Sequence, residues 1–322
     1  MSTVHVFPPV GGNVYDLDFL FVIALPVLSV AHALRHGEGM DLLLAGLALG
    51  LVTEMLSVHV GGTHCHAAGE GISLLSLSEC SSWNSVAMYP VWVYQGVTAA
   101  RRLLPSASSS FAFPIITGIL FFLQCGVYEL QGPLHGFWLW PLPDGVVKPG
   151  ADVWQAGAPG NDTRGLVATQ HVVDALEERV WGAPVLAPYF HAAFGWGVAT
   201  ALQVLQFWSV WPAVLLGPAL AMVWDPPVRL LRVWLDAPFT ASAPAIMVGL
   251  FVVALVAGPP LRSHHTPDPL FFAVPVVHHL FFIATALTRG IAPPSLQIFV
   301  LGVSAVSLIM HAKASGLLAD AP

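Results

Sequence analysis

Residues 59–70 read HVGGTHCHAAGE, and they close an apolar run, MDLLLAGLALGLVTEMLSV, whose interior carries a single charge, Glu54. His64 and His66 are two apart. In an extended segment both side chains point to one side, a bidentate arrangement suited to zinc, iron or copper. His59 precedes Gly61 and Gly62, where glycine lets the chain turn back on itself. His59, His64 and His66 are therefore candidate ligands for a divalent metal, zinc or iron. The same residues also suit an ordinary polar loop without metal. Glu54 and His59 are five apart, about 140° around an ideal helix, so they share a face only if the helix unwinds near the glycines.

Few other polar groups interrupt the apolar runs. Glu129 ends the run at 111–131, His191 lies early in the run at 184–205, and Asn84 opens the run at 83–100 behind the hydroxyls of CSSWNS. Asp225, His278, His279 and His311 complete the set. An ionisable group in lipid costs at least a few kcal/mol on insertion scales, so each is a candidate functional residue. Glu54, Asn84, Glu129 and His191 are the candidates for chemistry. A buried carboxyl with a histidine beside it suits general acid work on an alkene or ester. Asn84 is expected to hydrogen-bond Glu54 or a ligand. His32 and His36, in HALRH, stand four apart on one helical face, and read most simply as an interfacial cap beside RHGEGMD.

The elements that must hold these residues are membrane spans. The chain has 322 residues, 56% hydrophobic and 9% charged, against roughly 25% charged in soluble domains. A span needs about 20 predominantly apolar residues. Such runs fall near 17–35, 41–60, 83–100, 111–131, 184–205, 207–224, 240–258, 269–288 and 295–312. The expected fold is all-α, a polytopic helix bundle of about nine spans forming one domain over 1–322. Arg35, Arg101, Arg102, Arg262 and Lys313 then fall on one side, which the positive-inside rule makes cytoplasmic. Arg229 and Arg232 are exceptions. The N-terminus, 61–80 and the long loop 132–183 share the luminal or extracellular side. That loop carries a glycosylation sequon at Asn161 and an amphipathic piece, LVATQHVVDALEERVW, expected as an interfacial helix. Trp138, Trp140, Trp154 and Trp181 read as an interfacial belt.

The net charge of −7 excludes nucleic acid as a partner, since that role needs a basic face. Three cysteines are too few for a disulfide scaffold. Cys65 and Cys80 flank one loop and can pair on an oxidising side. The expected partners are the lipid bilayer and a hydrophobic small molecule or lipid. No H-E-x-x-H, G-x-S-x-G or P-loop string occurs.

The order of Glu129, GFWLWP and VWGAPVLAPYFHAAFGWG resembles bacterial carotenoid 1,2-hydratases and their polytopic relatives. The first half, EMLSVHVGGTHCHA followed by CSSWNSVAMYPVWVY, is similar to a family of uncharacterised eukaryotic multi-span membrane proteins. The resemblance covers about a third of the chain. It implies a hydrophobic substrate in the bilayer and acid chemistry by Glu54 or Glu129. Three function classes stay open: an intramembrane enzyme on a lipid-like substrate, a transporter or channel using the same polar residues, and a non-catalytic scaffold.

Overall fold

The computed structural model describes residues 17–37, 39–60, 64–66, 81–104, 110–135, 137–139, 178–181, 183–205, 210–221, 223, 225–262 and 266–318. Ten α-helices account for most of them: α1 (Phe19–His36, its first turns π-helical over Phe19–Ala24), α2 (Met40–Met55), α3 (Trp83–Leu103), α4 (Ala112–Glu129), α5 (Leu186–Val204), α6 (Val210–Ala221), α7 (Asp225–Leu235), α8 (Phe239–Ala257), α9 (Pro269–Thr288) and α10 (Pro294–Ala314). Two short antiparallel pairs sit outside the helices. β1 (Cys65–His66) pairs β2 (Trp138–Leu139), and β3 (Arg179–Val180) pairs β4 (Ala183–Pro184). The fold is an all-α bundle.

Among the described residues six helices are long and apolar enough to cross a membrane: Phe19–His36, Met40–Val58, Ala112–Glu129, Phe239–Ala257, Pro269–Thr288 and Pro294–Ala314. They fit a multi-pass membrane protein, but the count is six where hydropathy runs suggested nine. The reason is the surroundings of the other three. In α3 almost every residue is buried, so other helices rather than lipid surround it, and it tolerates Asn84, Gln95 and Arg102. In α5 most residues are likewise buried, with Tyr189, His191 and Trp196 set among alanines and glycines. The 12 residues of α6 rise only about 18 Å, short of a hydrocarbon core of about 30 Å. The outer helices instead present apolar side chains, with Val256 81% and Ile298 71% exposed.

Long-range bonds define two ends. At one end Arg262 N–H donates to the Leu103 carbonyl at 3.0 Å, Asp268 N–H donates to Ser315 at 2.8 Å, and Gln203 Nε2 donates to the Ser110 carbonyl at 2.7 Å. This arginine end gathers the C-termini of α1, α3, α5, α8 and α10. At the other end β1 pairs β2, Thr240 N–H donates to Glu178 Oε2 at 2.9 Å, Trp181 Nε1 donates to Ser295 Oγ at 3.1 Å, and Arg289 lies over the Phe137 ring. Arg229 and Arg232 belong to this second end. Both guanidinium groups lie over Phe239, and Arg232 faces Glu178 at 3.6 Å. Local partners therefore account for their position against the charge bias.

The helices approach backbone to backbone at glycines, as packed membrane helices do. A Cβ on Gly50 would meet the Val86 carbonyl at 2.5 Å, and one on Gly118 would meet the Trp196 indole at 1.9 Å. Small residues at these positions let α2 close on α3 and α4 close on α5. The amphipathic piece at 166–181 lies mostly outside the described residues. Its last residues, Arg179 and Val180, form β3, and Trp181 turns with φ 52°, so helix does not continue there.

His135 packs in the turns after α4, against Phe137. Burial and the neighbouring Arg289 push its pKa down to about 4. The neutral ring is thus favoured in the folded state. Its contribution to stability is complete above the ordinary value near 6.5 and is lost as the pH falls from there through 4. His135→Gln is expected to shift the acid-unfolding midpoint of the purified protein downward. An unchanged midpoint in a pH titration of helical signal would refute this.

Candidate functional site

Glu54 ends α2 with 1% of its surface exposed. The helix then widens into a π turn over Leu56–Val60, the kind of insertion often found at functional sites. Ser57 Oγ bonds back to the Thr53 and Glu54 carbonyls. The chain returns as β1, which pairing with β2 fixes beside Trp138. His64, just before β1, lies with Nε2 3.5 Å from Glu54 Oε2.

A second carboxyl–imidazole pair stands close by. Glu129 ends α4 and His191 sits one turn into α5, with Nε2 3.5 Å from Glu129 Oε1. His191 Nδ1–H donates to the Ala187 carbonyl at 3.0 Å. In the neutral ring this leaves the lone pair of Nε2 facing Glu129, so one proton fits between the two groups. Glu129 Oε2 has no hydrogen-bond partner among the described residues. The two pairs form one cluster, because the charges of Glu54 and Glu129 act on each other and those of His64 and Glu54 act on His191. Tyr89 of α3 lies within electrostatic reach of both carboxylates and 6.1 Å from the His191 ring, and Trp92 meets that ring edge-on at 5.3 Å.

Trp138 forms the floor under β1. It is 1% exposed and stacks on Tyr128 at 4.2 Å, with Gly132 leaving room for its ring. It is therefore a core residue rather than part of an interfacial belt. Trp181 bonds Ser295 and packs on Phe299, while Trp140 and Trp154 lie outside the described residues.

Asn84 is not turned to Glu54. Its Nδ2 donates to Asp18 Oδ1 at 2.8 Å, and its Oδ1 accepts from Ser82 Oγ at 2.7 Å. That bond ties the start of α3 to the segment before α1. Of the three proposed metal ligands, His64 faces Glu54. The side chains of His59 and His66, the pairing of Cys65 with Cys80, and Asn161 lie outside the described residues.

Two further groups hold other histidines of the described residues. In the middle of the bundle His279 bonds Ser304 and Ser307, His278 Nε2 donates to the Gln124 carbonyl at 2.9 Å, and His311 bonds Gln124 and the Ser307 carbonyl. At the arginine end His32 is fully buried rather than capping an interface. Its Nε2 is 2.7 Å from Asp268 Oδ2, its Nδ1 bonds the Tyr94 hydroxyl, and Arg102 Nη1 reaches Asp268 Oδ2 at 2.9 Å. Burial acts to raise the Asp268 carboxyl, but His32, the Phe271 amide and Arg102 outweigh it and hold it at about 2.

Asp18, Tyr89, Gln124 and Asp268 escaped the reading of the sequence. Asp268 had a signal: aspartate followed by proline marks a helix start, and its Oδ1 does accept Phe271 N–H at 3.1 Å. No family model, curated protein or solved structure matches the chain.

Proposed function

We propose that this protein is an intramembrane enzyme that performs general acid–base chemistry on a lipid-like substrate. The observation that carries the reading is the Glu129–His191 pair, a buried carboxyl facing an imidazole lone pair at 3.5 Å, with the Glu54–His64 pair beside it. Two buried carboxyls whose charges interact cannot both ionise cheaply. One is then held protonated as a proton donor, and the other accepts. On an alkene, Glu129 delivers its proton to one carbon, water attacks the other, and the surplus proton passes to Glu54. His191 Nε2 then takes that proton from Glu54 and passes it to Glu129, so that both carboxyls return to their starting states. The resemblance to carotenoid 1,2-hydratases points to the same substrate class. His64, with His59 and His66, is the set that a divalent metal at this end would use.

The proposed frame is one domain of nine passes, with α3 and α5 as inner passes and α6 as a short one, and the N-terminus and 132–183 luminal or extracellular. In a background with Cys65, Cys80 and Cys125 replaced by serine, new cysteines at Glu70 and Gln155 are expected to react together with an impermeant maleimide in oriented vesicles. A cysteine at Arg35 is expected to react only from the other face. Opposite reactivity of Glu70 and Gln155 would break this path.

A second reading, a proton-coupled carrier, draws on the buried His278–Gln124–His311–Ser307 network between the two ends. Membranes containing the protein, incubated in heavy water and extracted, decide between them. An enzyme yields an apolar product with non-exchangeable deuterium that is absent with Glu129→Gln. A carrier yields no such product and instead acidifies liposomes.

A further inference from the structure

The His32–His36–Asp268 cluster lies at the end of the bundle away from Glu54, and the chemistry above leaves it unused. We propose that His32, His36 and Asp268 form a binding site for a divalent transition-metal ion of the zinc class, entered from solvent beside His36. The three ligand atoms lie within 4.8 Å of one another. Ligands at 2.0–2.1 Å from a tetrahedral ion stand about 3.3 Å apart, and His36 Nε2 is 3.3 Å from Asp268 Oδ2. His32 Nε2, at 2.7 Å from the same oxygen, is now hydrogen-bonded, and it needs to open by roughly half an ångström to share an ion.

The outer partners already orient these ligands, as they do around metal centres. Tyr94 holds His32 at Nδ1, so Nε2 is the atom turned to Asp268. The Phe271 amide holds Asp268 Oδ1, leaving Oδ2 toward the histidines. His36 follows His32 by one turn, its ring stacked on His32 at 4.4 Å. The side chain of His36 is 35% exposed while those of His32 and Asp268 are 0% and 7%. Entry is thus through His36 into a shielded pair of ligands. Three protein ligands leave a fourth position for water.

Arg102 opposes the ion. Its Nη1 shares Asp268 Oδ2, and its Nη2 stands 3.2 Å from His32 Nε2. On metal binding the ring proton of His32 sits on Nδ1, donated to the Tyr94 oxygen. The guanidinium leaves Nε2 and keeps its place over the Phe271 ring, 4.4 Å away. A like charge so close weakens the site and makes it reversible.

The test is a cobalt titration of the full chain in detergent, followed by visible absorption and metal analysis. One cobalt per chain with a tetrahedral spectrum, displaced by zinc, is expected. His36→Ala, or His36→Gln if alanine disturbs folding, should weaken binding at least tenfold, since one of three ligands is lost. Arg102→Gln should tighten it, and His135→Gln should leave it unchanged. Absence of the tetrahedral signal, or equal binding by the His36 variants, overturns the site.

Discussion

Gly197→Val is expected to lower the ratio of folded to unfolded protein about a hundredfold. A Cβ at this position would lie 2.1 Å from the Gly217 carbonyl oxygen and 2.8 Å from the Ala221 nitrogen, both backbone atoms of α6. No side-chain rotation relieves that contact. Helix α6 must move away, which also breaks the close packing of Gly217 on Val198 along the same seam. Overpacking typically costs 1–3 kcal/mol and sometimes more. A backbone obstacle sets the loss at about 3 kcal/mol, close to a hundredfold in the folded ratio. Gly249→Val supplies the control, because nothing lies within 4 Å of a Cβ there. Size-exclusion profiles and thermal unfolding in detergent should separate the two. Equal midpoints would show that α5 and α6 do not touch in this way.

Glu129→Gln and Glu54→Gln are each expected to lower turnover of the lipid-like substrate by about 10²–10⁴, the usual contribution of a positioned acid or base. Folding should survive, since glutamine keeps the shape and removes a buried charge that costs stability unless paired. The expected signature is therefore loss of activity with an unchanged or raised melting temperature. Glu54→Ala should abolish activity and also cost stability, because it leaves a void against His64. If the carboxyls only held helices together, the glutamine variants would melt earlier. Unchanged turnover with either variant would remove that residue from the chemistry.

The helical class and the positions of the long apolar elements were legible in the residues, because a hydrophobic run of sufficient length is a local property. The number of qualifying helices was not. A helix such as α3, enclosed by others, has no need of an apolar surface, so an apolar run there does not tell a lipid-facing span from an enclosed one. Glu54, Glu129, His64 and His191 stood out because charges and histidines are scarce in apolar surroundings, and their distances required the fold. The bond of Asn84 to Asp18 was not legible, because the two are 66 residues apart and carry no local mark of that pairing. Trp138 illustrates the same limit. Its type and position suit an interface, and only its stacking on Tyr128 shows it buried. Asp268 looked like a helix start, which it is, while its second oxygen gathers Arg102 and His32 from two other helices.

The pairing of Cys65 with Leu139 and of His66 with Trp138 has a consequence for biogenesis. The strand that places His64 cannot find its partner until α3 and α4 have been synthesised and the chain beyond them has emerged. Loop closure over such a separation is entropically slow to be rewarded. During translation, then, Glu54 enters the bilayer ahead of Glu129, His191 and the strand that will cover it. The proton chemistry proposed for the cluster needs this last stitch, so an incomplete chain caught in the membrane would carry the Glu54 carboxyl without His64 fixed beside it.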